Sequence, residues 1–211
     1  KNNLQVISSL LELQADKFKD REVIEAFRES QNRVVSMAII HEELYRAGDI
    51  ETLDFSAYLR KLTSDLLGSY TVRKEDVKLK LEAEDTFLGM DTAIPLGIII
   101  NELVSNALKY AFPAGRRGEI RIKLCRKEIS ENKNIDEIIS NNYRGSSIKN
   151  SYLYLLVVSD NGLGFPENVD FKNTDSLGLQ LVNILVEQLE GTIEMETNGG
   201  TTFRISFTET E

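Results

Sequence analysis

Asp91-Thr92-Ala93-Ile94-Pro95-Leu96-Gly97-Ile98-Ile99-Ile100-Asn101-Glu102-Leu103-Val104-Ser105-Asn106-Ala107-Leu108-Lys109-Tyr110-Ala111-Phe112 decides the reading of the chain, because its side chains sort by a helical period. At about 100° per residue, Ile100, Leu103, Val104, Ala107, Leu108 and Ala111 share an apolar arc, while Glu102, Asn106 and Lys109 cluster within roughly 60° on the opposite side. A carboxylate, a carboxamide and an ammonium one turn apart suit a magnesium nucleotide. Mg²⁺ prefers an octahedron of oxygens and often takes only one or two from the protein. Asn106 offers such an oxygen, and Lys109 at i+3 offers a cation for phosphate. Glu102 at i−4 is placed to orient or deprotonate a nucleophile. The same pattern equally describes an ordinary solvated helix face.

Outward from this helix, Val77, Leu79, Leu81 and Ala83 alternate as a strand before it, and Gly118–Cys125 follows as another with Ile120, Ile122 and Leu124 on one face. Residues 126–150 are polar and rich in Asn and Ser, an excursion between strands. Tyr152–Ser159 reads as a buried strand and Gly178–Glu190 as a helix. Gly191–Thr197 and Thr201–Phe207 form a hairpin around Asn198-Gly199-Gly200. Upstream, Asp54 is placed to cap a helix reaching about Tyr70.

The N-terminal part is different. Leu4, Ile7 and Leu11, widened by Leu10 and Leu13, predict a helix over residues 1–15. After the mostly charged break Asp16–Asp20, a second helix runs from Arg21 to Ala47, with Ile24, Phe27, Val34, Met37, Ile40 and Leu44 on its apolar side and Gly48 as its stop. A hairpin this small cannot bury both stripes, so pairing with a second copy into a four-helix bundle is expected. The boundary falls near Ile50–Leu53, giving a hairpin over 1–50 and a second domain over 51–211. The whole is α+β, with five strands and three helices behind the hairpin.

The chain has 211 residues, 25 basic and 34 acidic, for a net charge of −9. That balance disfavours nucleic acid or anionic lipid as a partner of the general surface, so a phosphate ligand would be held locally. The one cysteine, Cys125, allows no internal disulfide and fits a reducing compartment. The longest apolar run, Tyr152–Val158, has seven residues, far short of the ~20 of a membrane span. No direct membrane contact is expected of this piece. The opening at Lys1 reads as that of a fragment.

Three glycine-bearing loops complete the pattern. In Ser159-Asp160-Asn161-Gly162-Leu163-Gly164-Phe165, Asp160 ends a buried strand, where a carboxylate needs hydrogen-bond donors such as an adenine amino group. Gly162 and Gly164 permit close backbone approach to a base and positive φ. An Asp-Asn-Gly turn would look the same. Ser176-Leu177-Gly178-Leu179 opens a helix whose free N–H groups make an anion site, or is a plain helix start. Gly200-Thr201-Thr202-Phe203 enters the last strand as a third loop or as a plain hairpin.

Residues of about 54–208 resemble the ATP-binding domain of the GHKL superfamily, and the chain as a whole resembles a sensor histidine kinase core. Asn101-Glu102-Leu103-Val104-Ser105-Asn106-Ala107-Leu108-Lys109-Tyr110 is similar to that family's N box and Asp160-Asn161-Gly162-Leu163-Gly164 to its first glycine box. The stretch around Gly178 resembles its second, and Gly200-Thr201 its last glycine motif. The resemblance implies a Bergerat-type α/β sandwich with a mixed sheet, and Mg·ATP as ligand. It implies Asn106 on the magnesium, Asp160 on the adenine, Lys109 on phosphate and residues 165–177 as an ATP lid. Tyr110, Gly162, Gly164, Leu177, Gly178, Leu179 and Thr201 complete the implied cofactor set, with Glu102 as the catalytic carboxylate. No P-loop pattern is present.

Ser176 stands where many relatives carry a glycine, which leaves Gly178 for the phosphates. The opening Lys1-Asn2-Asn3-Leu4-Gln5 resembles the subfamily whose phosphoacceptor histidine lies a few residues before such a run, and that residue is absent from this sequence. His41, the one histidine, is followed by Glu42 but by no further acceptor motif and reads as a packing or capping residue. The resemblance implies transfer of the γ-phosphoryl to a histidine and on to an aspartate of a response-regulator receiver domain. It further implies a homodimer in the cytoplasm, or the cytoplasmic part of a membrane-bound sensor. The alternatives are a GHKL ATPase, an anti-sigma serine kinase and a non-enzymatic ATP-binding scaffold.

Overall fold

The protein is described by a computed structural model that covers residues 2–46, 52–69, 76–83, 86–113, 116–128, 151–166, 169–174 and 176–210. Helix α1 (Asn2–Ala15) and helix α2 (Arg21–Arg46) form the hairpin. Asp20 caps α2, its Oδ1 accepting the Glu22 N–H at 2.9 Å, and Phe18 stacks on Phe27 with centroids 5.5 Å apart to fix the turn. The proposed stop at Gly48, the residues 129–150 of the insertion and part of the lid lie outside the described residues.

Strand β1 (Thr52–Asp54) leads into α3 (Phe55–Ser69), where Asp54 Oδ1 accepts the Ala57 N–H at 2.9 Å, the expected cap. β2 (Val77–Ala83) follows, then β3 (Phe87–Gly89), which pairs antiparallel with β1 in a small ribbon that periodicity does not reveal. A three-residue strand is too short to show alternation. Next come α4 (Met90–Asn106) with a π-helical turn (Ala107–Ala111), β4 (Gly118–Glu128), β5 (Ser151–Asp160), α5 (Leu177–Gln188), β6 (Thr192–Thr197) and β7 (Thr201–Thr210).

The main sheet has the order β2-β4-β5-β7-β6, with β2 parallel to β4 and every other pair antiparallel. This is the mixed five-stranded sheet expected from the sequence. Register aligns inward side chains in rows: Ile122, Val158 and Phe203 form one, Leu124, Leu156 and Ile205 the next, and Tyr154 stacks on Phe207 at 5.2 Å. All are buried against the helical layer, where Ile99, Ile100, Leu103, Val104 and Leu108 of the central helix lie. The intervening Arg121, Lys123, Val157, Thr202 and Arg204 line the opposite, open face.

Two expectations change. The central helix is continuous to Phe112 by its pattern, but after Asn106 it widens into a π-turn, a feature frequent at functional sites. Met37, read as part of the seam between two copies, instead packs with Ile39 against the core of the α/β layer. The cause is that α2 lies along α4 and α3 of its own chain.

Candidate functional site

The two best-matched motifs meet at the end of the central helix. Leu163 N–H donates to the Ala111 carbonyl at 3.0 Å, and a Cβ on Gly162 would overlap Ala111. So the loop after β5 is fastened to the π-turn that follows Asn106. Gly162 is required for this helix contact and does not use a positive φ, whereas Gly164 has φ +86° and uses the freedom expected of it.

Asp160 organises the loop. Its Oδ1 accepts the Gly162 N–H at 2.8 Å and the Thr201 N–H at 3.3 Å, which leaves Oδ2 without a donor among the described residues. Gly200 (φ +142°) lies so close that a Cβ there would overlap the Asp160 carbonyl. Asn161 ties the loop to β4, its Oδ1 accepting the Glu119 N–H at 2.7 Å, and Arg116 Nη2 donates to the Gly162 carbonyl at 2.9 Å. The result is a rigid acceptor at the end of the central strand.

Asn106 is half-buried at the last residue of α4, and its carboxamide is bonded to no described residue. That fits an oxygen ligand for an ion that takes one or two protein oxygens. Helix α5 packs on α4, and its first turn meets Glu102. Gly178 is buried, and a Cβ on it would come within 2.6 Å of Glu102 Oε2. Leu179 is buried in the core, so only its backbone can face a ligand; Leu177 and Tyr110 are exposed. In the segment read as a lid, Phe165 and Phe171 stand edge-on to Phe203 at 6.3 and 5.8 Å.

The polar face of α4 is not open to solvent. Glu102 is 5 % exposed and bound in two places by Arg33 of α2, from Nε to Oε1 at 2.6 Å and from Nη2 to Oε2 at 2.9 Å. Arg33 is itself 9 % exposed. Its hydrogen bond to Glu102 raises the guanidinium above its already high value, against the lowering by burial and with help from the charges of Glu102 and Glu29. Lys109 Nζ meets Glu29 at 2.6 Å and Glu25 at 3.0 Å. Asn101 Nδ2 reaches Glu102 Oε1 at 3.4 Å, while its buried Oδ1 has no partner among the described residues.

Sequence reasoning missed Arg33, Glu29 and Glu25. Their spacing of four was visible, but on a helix assigned to another domain it reads as a solvated face. His41 lies eight residues beyond Arg33 on α2, about 12 Å along the axis, and its side-chain surroundings fall outside the described residues.

Comparison with known proteins accords with this geometry. The family described as histidine kinase-, DNA gyrase B- and HSP90-like ATPases matches residues 91–211. The chain belongs to that ATPase family. A second description, histidine kinase, matches residues 1–70 of this family member. The chain is 31 % identical over 198 residues to the sensor histidine kinase PdtaS of Mycobacterium tuberculosis, covering 92 % of itself and 34 % of that protein. It is 24 % identical over 205 residues to blue-light-activated histidine kinase 2 of Erythrobacter litoralis, covering 95 % of itself and 51 % of the relative. The chain therefore spans about a third to a half of these relatives. In fold it is similar to the histidine kinase domain of an E. litoralis blue-light-activated kinase, with TM-score 0.68 at 22 % identity over 98 % of this chain and 88 % of that one. Among the described residues no helix is long and apolar enough to cross a membrane.

Proposed function

We propose that the chain is the catalytic part of a sensor histidine kinase, binding Mg·ATP and directing its γ-phosphoryl to a histidine and then to a response-regulator aspartate. The observation that carries this reading is the fastening of the Asp160 loop to Ala111, which brings the acceptor and the Asn106 end of α4 together at one end of the central strand. Asp160 Oδ2 would accept the adenine amino group. Asn106 would hold Mg²⁺, which supplies charge neutralisation on the phosphates. Lys109 and the N-terminus of α5 at Leu177, Gly178 and Leu179 would hold phosphate oxygens, with Gly164 and Thr201 shaping the base site and Tyr110 its rim.

Phosphoryl transfer needs positioning and charge stabilisation more than covalent help from the protein. Glu102 would orient or deprotonate the attacking imidazole once Arg33 has left it. Val6, Ile7, Leu10 and Leu13 leave an exposed apolar surface on α1, which supports pairing with a second copy. A cytoplasmic location suits both ATP and a receiver-domain partner.

The test is labelling of the parent protein with γ-³²P-ATP, followed by acid and base treatment and peptide mapping. An acid-labile, base-stable phosphate on a histidine other than His41 is expected. Label on His41, or on serine, would replace this mechanism.

A further inference from the structure

Glu25, Glu29 and Arg33 recur every four residues and so share one face of α2. They meet the central helix in matching order, the two carboxylates on Lys109 and the guanidinium on Glu102. Arg33 and Glu29 are themselves 3.7 Å apart, which links the five charges into one network. The network reaches the start of α5: the space above the Gly178 backbone is bounded by Glu102 Oε2 at 2.6 Å and Arg33 Nη2 at 3.7 Å from the Cβ position. Every charged group offered by the polar face of α4 is thus already engaged by α2.

We infer that α2 is a built-in competitor of the nucleotide, its Glu25–Glu29–Arg33 face closing the phosphate end of the site and releasing it only when the hairpin moves off α4. The inference rests on the nucleotide reading above. Phosphates carry the same sign as Glu25 and Glu29, so a nucleotide at Lys109 is repelled while those carboxylates stay. Arg33 makes the docked state strong, because Glu102 is buried there and a buried carboxylate without its partner is costly. Moving α2 away returns Glu102 to water and frees it for the attacking group. Docking and nucleotide binding therefore oppose each other, and by linkage each weakens the other by the same factor. A signal that repositions the hairpin would switch the site through this contact.

The experiment uses residues 1–211 as wild type, as Arg33→Gln, and as the double variant Glu25→Gln with Glu29→Gln, whose side chains are partly exposed and tolerate change. A non-hydrolysable ATP analogue with Mg²⁺ is titrated into each by calorimetry, and backbone hydrogen exchange over residues 21–46 is followed with and without it. With the docked state removed, the apparent affinity rises by the reciprocal of the open fraction, on the order of tenfold for Arg33→Gln. The double variant should gain roughly two- to fivefold. In the wild type, nucleotide should speed exchange in α2. Weaker binding by Arg33→Gln would make Arg33 a phosphate ligand and overturn the competition. Equal binding by all three proteins, with α2 exchange unmoved, would overturn the competition alone. Binding by none of them would overturn the nucleotide reading as well.

Discussion

Thr201 donates its backbone N–H to Oδ1 of Asp160 at 3.3 Å across 41 residues of sequence, so the last strand helps aim the carboxylate that ends the central one. Asp160→Asn keeps an acceptor for Gly162 and Thr201 but turns an NH₂ toward the base site. ATP affinity should fall roughly tenfold or more, the worth of a hydrogen bond to a charged group, with the melting temperature nearly unchanged. Calorimetry with ATP and GTP checks it, and equal ATP binding by the two proteins would remove Asp160 from the site.

Gly162 has no room for a side chain because Ala111 occupies the Cβ position. Gly162→Ala should therefore cost about 1–3 kcal/mol of stability through overpacking. It should also loosen the Asp160 loop. Thermal unfolding reads the first effect and nucleotide affinity the second. A variant as stable as wild type would contradict the close contact.

Much of this was legible because its signals are local. Ile120, Ile122 and Leu124 alternate, Asp54 caps, and Asn198-Gly199-Gly200 turns, each within a few residues. The candidate residues Asn106, Asp160 and Gly178 could be proposed because each sits at an element end marked by its own glycines or period. What was not legible depends on tertiary placement. Nothing near Gly162 in sequence announces Ala111, and nothing near Glu102 announces Arg33, 69 residues earlier. Met37 has the same apolar appearance whether it faces a second copy or its own α/β layer.

Tyr58 is fully buried against Phe55, and its hydroxyl has no partner among the described residues. Burial disfavours the phenolate and raises the pKa of this hydroxyl well above the usual tyrosine value. The folded state then keeps a proton that the unfolded chain loses above about pH 10, so stability should fall with rising pH there, by about 1.4 kcal/mol per pH unit. Tyr58→Phe removes both the orphan hydroxyl and the titration. It should be more stable by about 1 kcal/mol at neutral pH and should lack this alkaline loss. Denaturant unfolding at pH 7 and above pH 10 measures both, and a less stable Tyr58→Phe would show that the hydroxyl is bonded.

Leu10 is 53 % exposed on α1, between Val6 and Leu13 on the same face. Leu10→Glu should convert a dimer to monomers without touching the α/β layer. Sedimentation velocity decides, and a monomeric wild type would remove the pairing. A charge at Met37 should instead lower stability, since that side chain packs on its own core.

Asn106, half-buried at the end of α4 with no described partner for its carboxamide, carries the claim that the site takes Mg·ATP. Calorimetric titration of wild type and Asn106→Ala with a non-hydrolysable ATP analogue, each with and without Mg²⁺, tests it most directly. The account predicts binding that Mg²⁺ strengthens in the wild type, and a variant that folds normally but has lost that Mg²⁺ dependence. Wild-type affinity and metal dependence in Asn106→Ala would contradict it.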